Sequence, residues 1–126
     1  MPKRIVVADD EPHIRRVVEL KLKGAGYEVT PVASGAAGLE AAMKVLPQLI
    51  VSDYRMPGEM NGVDLIKAVR DTPGISDTPI ILLTGSVAVV QKLKGALSGV
   101  SKVTYLSKPF SPRGLLRQVT EILDET

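Results

Sequence analysis

The sequence contains no cysteine and no tryptophan, a single histidine, three tyrosines and one phenylalanine. Without cysteine there is no disulfide, no thiolate nucleophile and no thiolate metal ligand, a composition that fits a reducing compartment. The lone His13 has no partner motif and reads as a helix-surface residue rather than a ligand. Aromatics make up only 3% of the chain, so there is no stacking platform for nucleobases. No apolar run reaches the roughly 18 residues that a membrane helix needs. The opening Met1-Pro2-Lys3-Arg4 leads directly into a strand-like run, with no signal-peptide pattern. The expected location is the cytoplasm. Neither sign of charge dominates, with 16 Lys and Arg against 14 Asp and Glu and a formal net charge of +2. The bases fall into separate groups, Arg15, Arg16, Lys21 and Lys23 in one segment and Lys92, Lys94 and Lys102 in another. They read as solvated helix faces, not as a nucleic-acid surface.

What is present is a core. The chain has 126 residues, 44% of them hydrophobic, which suits one domain over residues 1–126. Ile5-Val6-Val7-Ala8 reads as a buried strand, followed by Asp9-Asp10-Glu11 and by Pro12 at a first helical position. Ile14, Val17, Val18, Leu22 and Ala25 recur at helical spacing, and Gly24 and Gly26 punctuate the end. Tyr27 to Val32 is a second strand. Ser34 is placed to cap a helix from Gly35 to about Val45, which Pro47 stops. The third strand runs from about Gln48 to Asp53, and a loop rich in Pro and Gly follows it. Val63, Leu65, Ile66 and Val69 mark the third helix. Ile80 to Thr84 is the fourth strand. Val89, Val90, Leu93, Ala96 and Leu97 mark the fourth helix, with Gly95 inside it. A fifth strand is expected from about Lys102 to Leu106. A last helix starts near Ser111, with Leu115, Leu116, Val119, Ile122 and Leu123 on its buried side.

Strand then helix, repeated through the chain, means a parallel sheet with helices on both faces. The reading is an α/β, three-layer, doubly wound (βα)5 fold with the flavodoxin-like strand order 2-1-3-4-5. Ligand sites in such sheets lie at the carboxyl ends of the strands. Polar groups gather at that edge. Strand one ends in Asp9-Asp10, strand three in Asp53 and strand four in Thr84, while Lys108 follows strand five. Two unit charges roughly 4 Å apart repel by about 4 kcal/mol at an effective dielectric near 20. Clustered carboxylates therefore call for a cation or a shifted pKa. Oxygen ligands without Cys or His point to a hard ion, Mg²⁺ first and Mn²⁺ or Ca²⁺ next. A carboxylate beside such an ion can act as a nucleophile toward phosphorus, with Lys108 and Thr84 available to phosphoryl oxygens. Each residue also has a plain structural reading: acids favouring a helix N-terminus, a strand-end threonine, a surface lysine, and Tyr105 as ordinary strand packing.

The run Val7-Ala8-Asp9-Asp10-Glu11, the run Ser52-Asp53-Tyr54-Arg55-Met56-Pro57, Leu83-Thr84-Gly85 and Lys108-Pro109-Phe110 together resemble the receiver domains of two-component response regulators. The likeness covers essentially the whole chain in order. It implies that Asp53 is the phosphoacceptor for a histidine kinase or phosphotransfer protein. It implies that Asp10, Asp53 and the backbone carbonyl of Arg55 ligate Mg²⁺, with Asp9 acting through water. Thr84 and Tyr105 resemble the family's switch pair, Lys108 its phosphoryl-binding lysine, and the Lys108–Pro109 bond is cis in such domains. The implied role is a phosphoacceptor switch that assists its own phosphotransfer, not an enzyme with a separate substrate. Signalling would leave by the face made of the fourth helix, fifth strand and last helix, toward a downstream effector or, in a homodimer, a second copy. No membrane contact and no direct nucleic-acid binding are expected, and no effector domain is expected within these residues. Two departures from the family pattern stand out: the loop after Pro57 is one residue longer, and Gly99 to Tyr105 about two longer. A haloacid-dehalogenase-type phosphatase would want a second Asp where Arg55 stands. A flavin site would want a phosphate-cradling loop where Asp9-Asp10-Glu11 stands. A receiver-like interaction module working without phosphorylation is the remaining alternative.

Overall fold

The computed structural model describes residues 2–108 and 110–124. Its elements alternate without interruption: β1 (Arg4–Ala8), α1 (Pro12–Gly24), β2 (Glu28–Val32), α2 (Gly35–Val45), β3 (Leu49–Asp53), α3 (Gly62–Arg70), β4 (Ile80–Thr84), α4 (Val87–Ala96), β5 (Val103–Ser107) and α5 (Pro112–Asp124). The strands form one parallel sheet in the order β2-β1-β3-β4-β5. This is the flavodoxin-like arrangement that the strand–helix alternation predicts.

The central strands are apolar throughout because both of their faces are covered. Successive side chains point to opposite faces, so each strand feeds two cores. Val6, Ala8, Ile50, Ile80 and Leu82 pack with α2, α3 and α4. Ile5, Val7, Leu49, Val51, Ile81 and Leu83 pack with α1 and α5. The division of the helices follows from the order. The chain steps from β1 outward to β2, then reverses and steps through β3, β4 and β5. With crossovers of one hand, the reversal moves the helices to the opposite face. The crevice at the reversal lies between the ends of β1 and β3, where Ala8 pairs with Ser52.

Local chemistry sets the boundaries. Ser34 caps α2 as expected, its hydroxyl accepting from the Ala37 N–H at 3.1 Å. Asn61 and Asp64 form a reciprocal capping box at the start of α3, at 2.9 and 3.0 Å. Helix α4 starts at Val87, before the apolar repeat begins, because Ser86 caps it by accepting from Val89 N–H. Two expectations shift. Ala25 is exposed, because α1 ends at Gly24 and leaves it at the cap. Strand β5 begins one residue later than expected, because Lys102 is left-handed, with φ 59°, and cannot continue an extended run.

Candidate functional site

Strand β1 delivers Asp9 and Asp10, strand β3 delivers Asp53, and carboxylate oxygens of all three lie within 4.8 Å of one another. Their environments differ. Asp10 is exposed, while Asp9 and Asp53 are buried, at 1% and 7% exposure. The Asp9 Oδ1 accepts from the Glu11 N–H at 3.0 Å, but its Oδ2 is buried with no hydrogen-bond partner. Burial pushes the Asp9 pKa above its ordinary value, against the Glu11 hydrogen bond, and the Asp53 and Asp10 charges push the same way. An orphaned carboxylate oxygen beside two further carboxylates is a donor set that fits a hard divalent cation.

On the other side of Asp53 stands Lys108. Its ammonium donates to the Asp53 Oδ2 at 2.9 Å. Burial pulls the Lys108 pKa down. The hydrogen bond to Asp53 and the charges of Asp53, Asp9 and Glu11 outweigh that and leave it raised. Lysine is held there by its main chain, whose N–H donates to the Thr84 carbonyl at 2.6 Å and ties the ends of β4 and β5 together. The cis bond expected between Lys108 and Pro109 involves a residue outside those described.

Thr84 is fully buried, and its hydroxyl donates to the Ser86 carbonyl across a long 3.4 Å. Tyr105 is half-buried, with the Lys94 ammonium 5.7 Å from its ring centroid. Arg55 is exposed and lines, with Asp53, Tyr54, Gly85, Ser86 and Lys108, a cleft of about 380 Å³. Thus Asp9, Asp10, Asp53 and Lys108 meet in one place, with Arg55 at the cleft wall; Thr84 ends β4 one residue past Leu83, the partner of Asp53, and beside Lys108, while Tyr105 sits three residues before Lys108 on β5, paired with Leu82. His13 is exposed on α1 and lines a separate apolar cavity beside Lys108.

Three supporting residues lie outside the candidate site set. Arg15 donates to the Asp9 carbonyl at 2.8 Å and holds the acidic turn against α1. Ser52 donates to the Asp53 carbonyl at 2.9 Å. Gly62 lets the loop after Asp53 close, since a Cβ there would stand 2.6 Å from the Asp53 carbonyl oxygen and 2.7 Å from Leu82. Ser52 opens the run that carries the family resemblance and Gly62 shows as a glycine at a loop-to-helix junction, whereas Arg15 has no sequence signal.

The family model for the response regulator receiver domain matches residues 5–120. The chain belongs to that family. The DNA-binding response regulator MtrA of Mycolicibacterium smegmatis is 33% identical to this receiver domain over 119 residues, covering 94% of this chain and 50% of MtrA. The chain therefore spans about half the length of the curated relatives it matches. Among solved structures, the chemotaxis response regulator CheY4 of Vibrio cholerae superposes with a TM-score of 0.85 at 34% identity, covering 97% of this chain and 99% of that one. The Francisella response regulator 1452 receiver domain gives 0.83 at 28% identity, with 98% of each chain covered. Receiver domains are the signalling switches of two-component systems rather than enzymes in the ordinary sense. Among the described residues, no helix is long and apolar enough to cross a membrane.

Proposed function

We propose that this receiver domain, one unit over residues 1–126, takes a phosphoryl group onto Asp53 from a phosphohistidine of a kinase or phosphotransfer protein. The observation that carries the reading is the position of Asp53. Its carboxylate has the Lys108 ammonium at 2.9 Å on one side and two further carboxylates within 4.8 Å on the other. The Asp53 oxygen attacks phosphorus, the P–N bond breaks, and its electron pair stays with the imidazole. The product is an acyl phosphate on Asp53. Asp10, Asp53 and the Arg55 carbonyl would hold Mg²⁺, or Mn²⁺ in its place, with Asp9 joined through water. A bound ion supplies positive charge to phosphoryl oxygens that the acidic cluster would otherwise repel. Lys108 exchanges its Asp53 contact for a phosphoryl oxygen. Arg55, at the cleft wall, shields the phosphoryl group from water.

The output follows from Thr84. Its long bond to the Ser86 carbonyl is weak and readily exchanged for a phosphoryl oxygen. That exchange pulls on the cap of α4, and Tyr105 turns inward on β5. The α4-β5-α5 face then meets a downstream effector protein or domain. The relative MtrA is a DNA-binding response regulator. Here DNA contact is assigned to an effector and not to this domain, which works in the cytoplasm beside its kinase.

The test is labelling by acetyl phosphate with and without Mg²⁺, followed by peptide mapping. Label should appear only with Mg²⁺, on the peptide containing Asp53, and vanish in Asp53→Asn. Label on a peptide with Asp9 or Asp10 but not Asp53 refutes the assignment. No label at all favours an interaction module that works without phosphorylation.

A further inference from the structure

The turn that carries the acidic pair is held through its main chain. Asp9 donates its N–H to the Val32 carbonyl at 3.0 Å, and its Oδ1 accepts from the Glu11 N–H at 3.0 Å. Its carbonyl accepts from Arg15 Nη1 at 2.8 Å. Its Oδ2, buried and without a partner, is the polar atom left unengaged. Asp10 is exposed, so its carboxylate takes its direction from the backbone. The Asp9 carbonyl and the Asp10 N–H share one planar peptide, and a bond that fixes the first fixes the second. Glu11, the N-cap of α1, makes no side-chain bond to the helix. The side-chain tie between turn and helix comes instead from inside α1, from Arg15. Arg15 is half-buried and, among the described residues, has no carboxylate within ion-pair distance. Its neighbour Arg16 is the contrast, exposed and paired with Glu19 at 3.2 Å.

We infer that Arg15 is a positioning residue for the cation site: through the Asp9 carbonyl it aims the Asp9 and Asp10 carboxylates at a divalent cation. The inference rests on the proposed role of those two residues in holding Mg²⁺. Charge alone argues the other way. A guanidinium behind a cation site repels the cation, so a purely electrostatic role would weaken binding. What Arg15 supplies is direction. Carboxylates that repel one another splay apart when the backbone beneath them is free, and a cation must then draw them together as it binds. A turn fixed beforehand avoids that cost. Groups that orient the ligands of a metal without touching it change its affinity by about 10- to 100-fold.

The test is titration calorimetry of the full chain with Mg²⁺, repeated with Mn²⁺ by electron paramagnetic resonance, which reads the bound ion directly. Arg15→Met should weaken binding by about tenfold. Arg15→Lys keeps a charged donor and should lose less than Arg15→Met. Arg16→Met removes the same charge one residue along the helix, and should bind as the wild type does or slightly tighter. Melts in EDTA establish that each variant is folded at the titration temperature. If Arg15→Met is not, Arg15→Gln, shorter and uncharged, takes its place with the same expected loss. Three results each overturn the inference: affinity unchanged or tighter once the guanidinium is removed, a lysine variant as weak as the uncharged one, or an equal loss in Arg16→Met. Those results leave the proposed function standing, because the wild type still binds the ion. A wild type that binds neither Mg²⁺ nor Mn²⁺ sinks the proposed metal site itself.

Discussion

Replacing Asp9 by Asn should make the metal-free protein more stable. The wild type buries Asp9 almost completely and leaves its Oδ2 without a partner. An unsatisfied buried polar atom costs about 1–3 kcal/mol. Unit charges at the 4.8 Å limit of the cluster repel by about 3.5 kcal/mol at an effective dielectric near 20. Lys108 offsets much of the Asp53 charge, and water screens the exposed Asp10. Asparagine keeps an oxygen for the Glu11 N–H and gains an amide that can donate to the neighbouring carboxylates. The net gain should be about 1–2 kcal/mol. At ~2.1 cal/mol/K of unfolding entropy per residue, that raises the melting temperature by about 4–8 °C. The assay is a thermal melt in EDTA and again in Mg²⁺. The wild type should rise on adding Mg²⁺ and the variant should rise less, because its site has lost a charge. The pH dependence has a definite sign. Folding raises the Asp9 pKa above 3.8, so wild-type stability from protonating it is complete below 3.8 and lost as pH rises through the folded value. The gap between variant and wild type should therefore be widest near neutrality and close on acidification. A variant that melts at or below the wild type in EDTA at neutral pH refutes the reasoning.

Gly62→Ala should lower stability by about 1–3 kcal/mol, because its methyl would meet the Asp53 carbonyl, Tyr54 and Leu82 inside van der Waals contact; a denaturant titration in which it matches the wild type would show that the loop yields freely. Arg70→Met removes the guanidinium bonds to the carbonyls of Thr78 at 2.6 Å and Ser101 at 2.9 Å, and should speed amide exchange selectively from residue 98 to 103. Uniform or unchanged exchange would show that the clamp does not hold the α4-to-β5 connection. Glu19 is held below 4.5 by its Lys23 hydrogen bond at 2.7 Å and by Arg16. Its stabilisation is present above 4.5 and lost as pH falls through the lowered value. Glu19→Gln should thus be slightly destabilised at neutral pH and match the wild type in acid, as pH-dependent melts would register.

What the sequence determined by itself was the periodic and the punctuated. Apolar runs of strand length, helical repeats such as Val63, Leu65, Ile66 and Val69, and stops such as Pro47 are local signals, and they placed every strand and helix to within a residue or two. Strand order followed from alternation, and order alone put Asp9, Asp10, Asp53 and Lys108 at one edge. Tertiary structure decided what depends on neighbours distant in the chain. It made Asp9 rather than Asp10 the buried, orphaned carboxylate, because solvent access depends on how β1, β2 and α1 close around the turn. The connection after Gly99 reads as loose from its length and glycine. Arg70, some thirty residues earlier, grips the carbonyls of Ser101 and Lys102 and closes it.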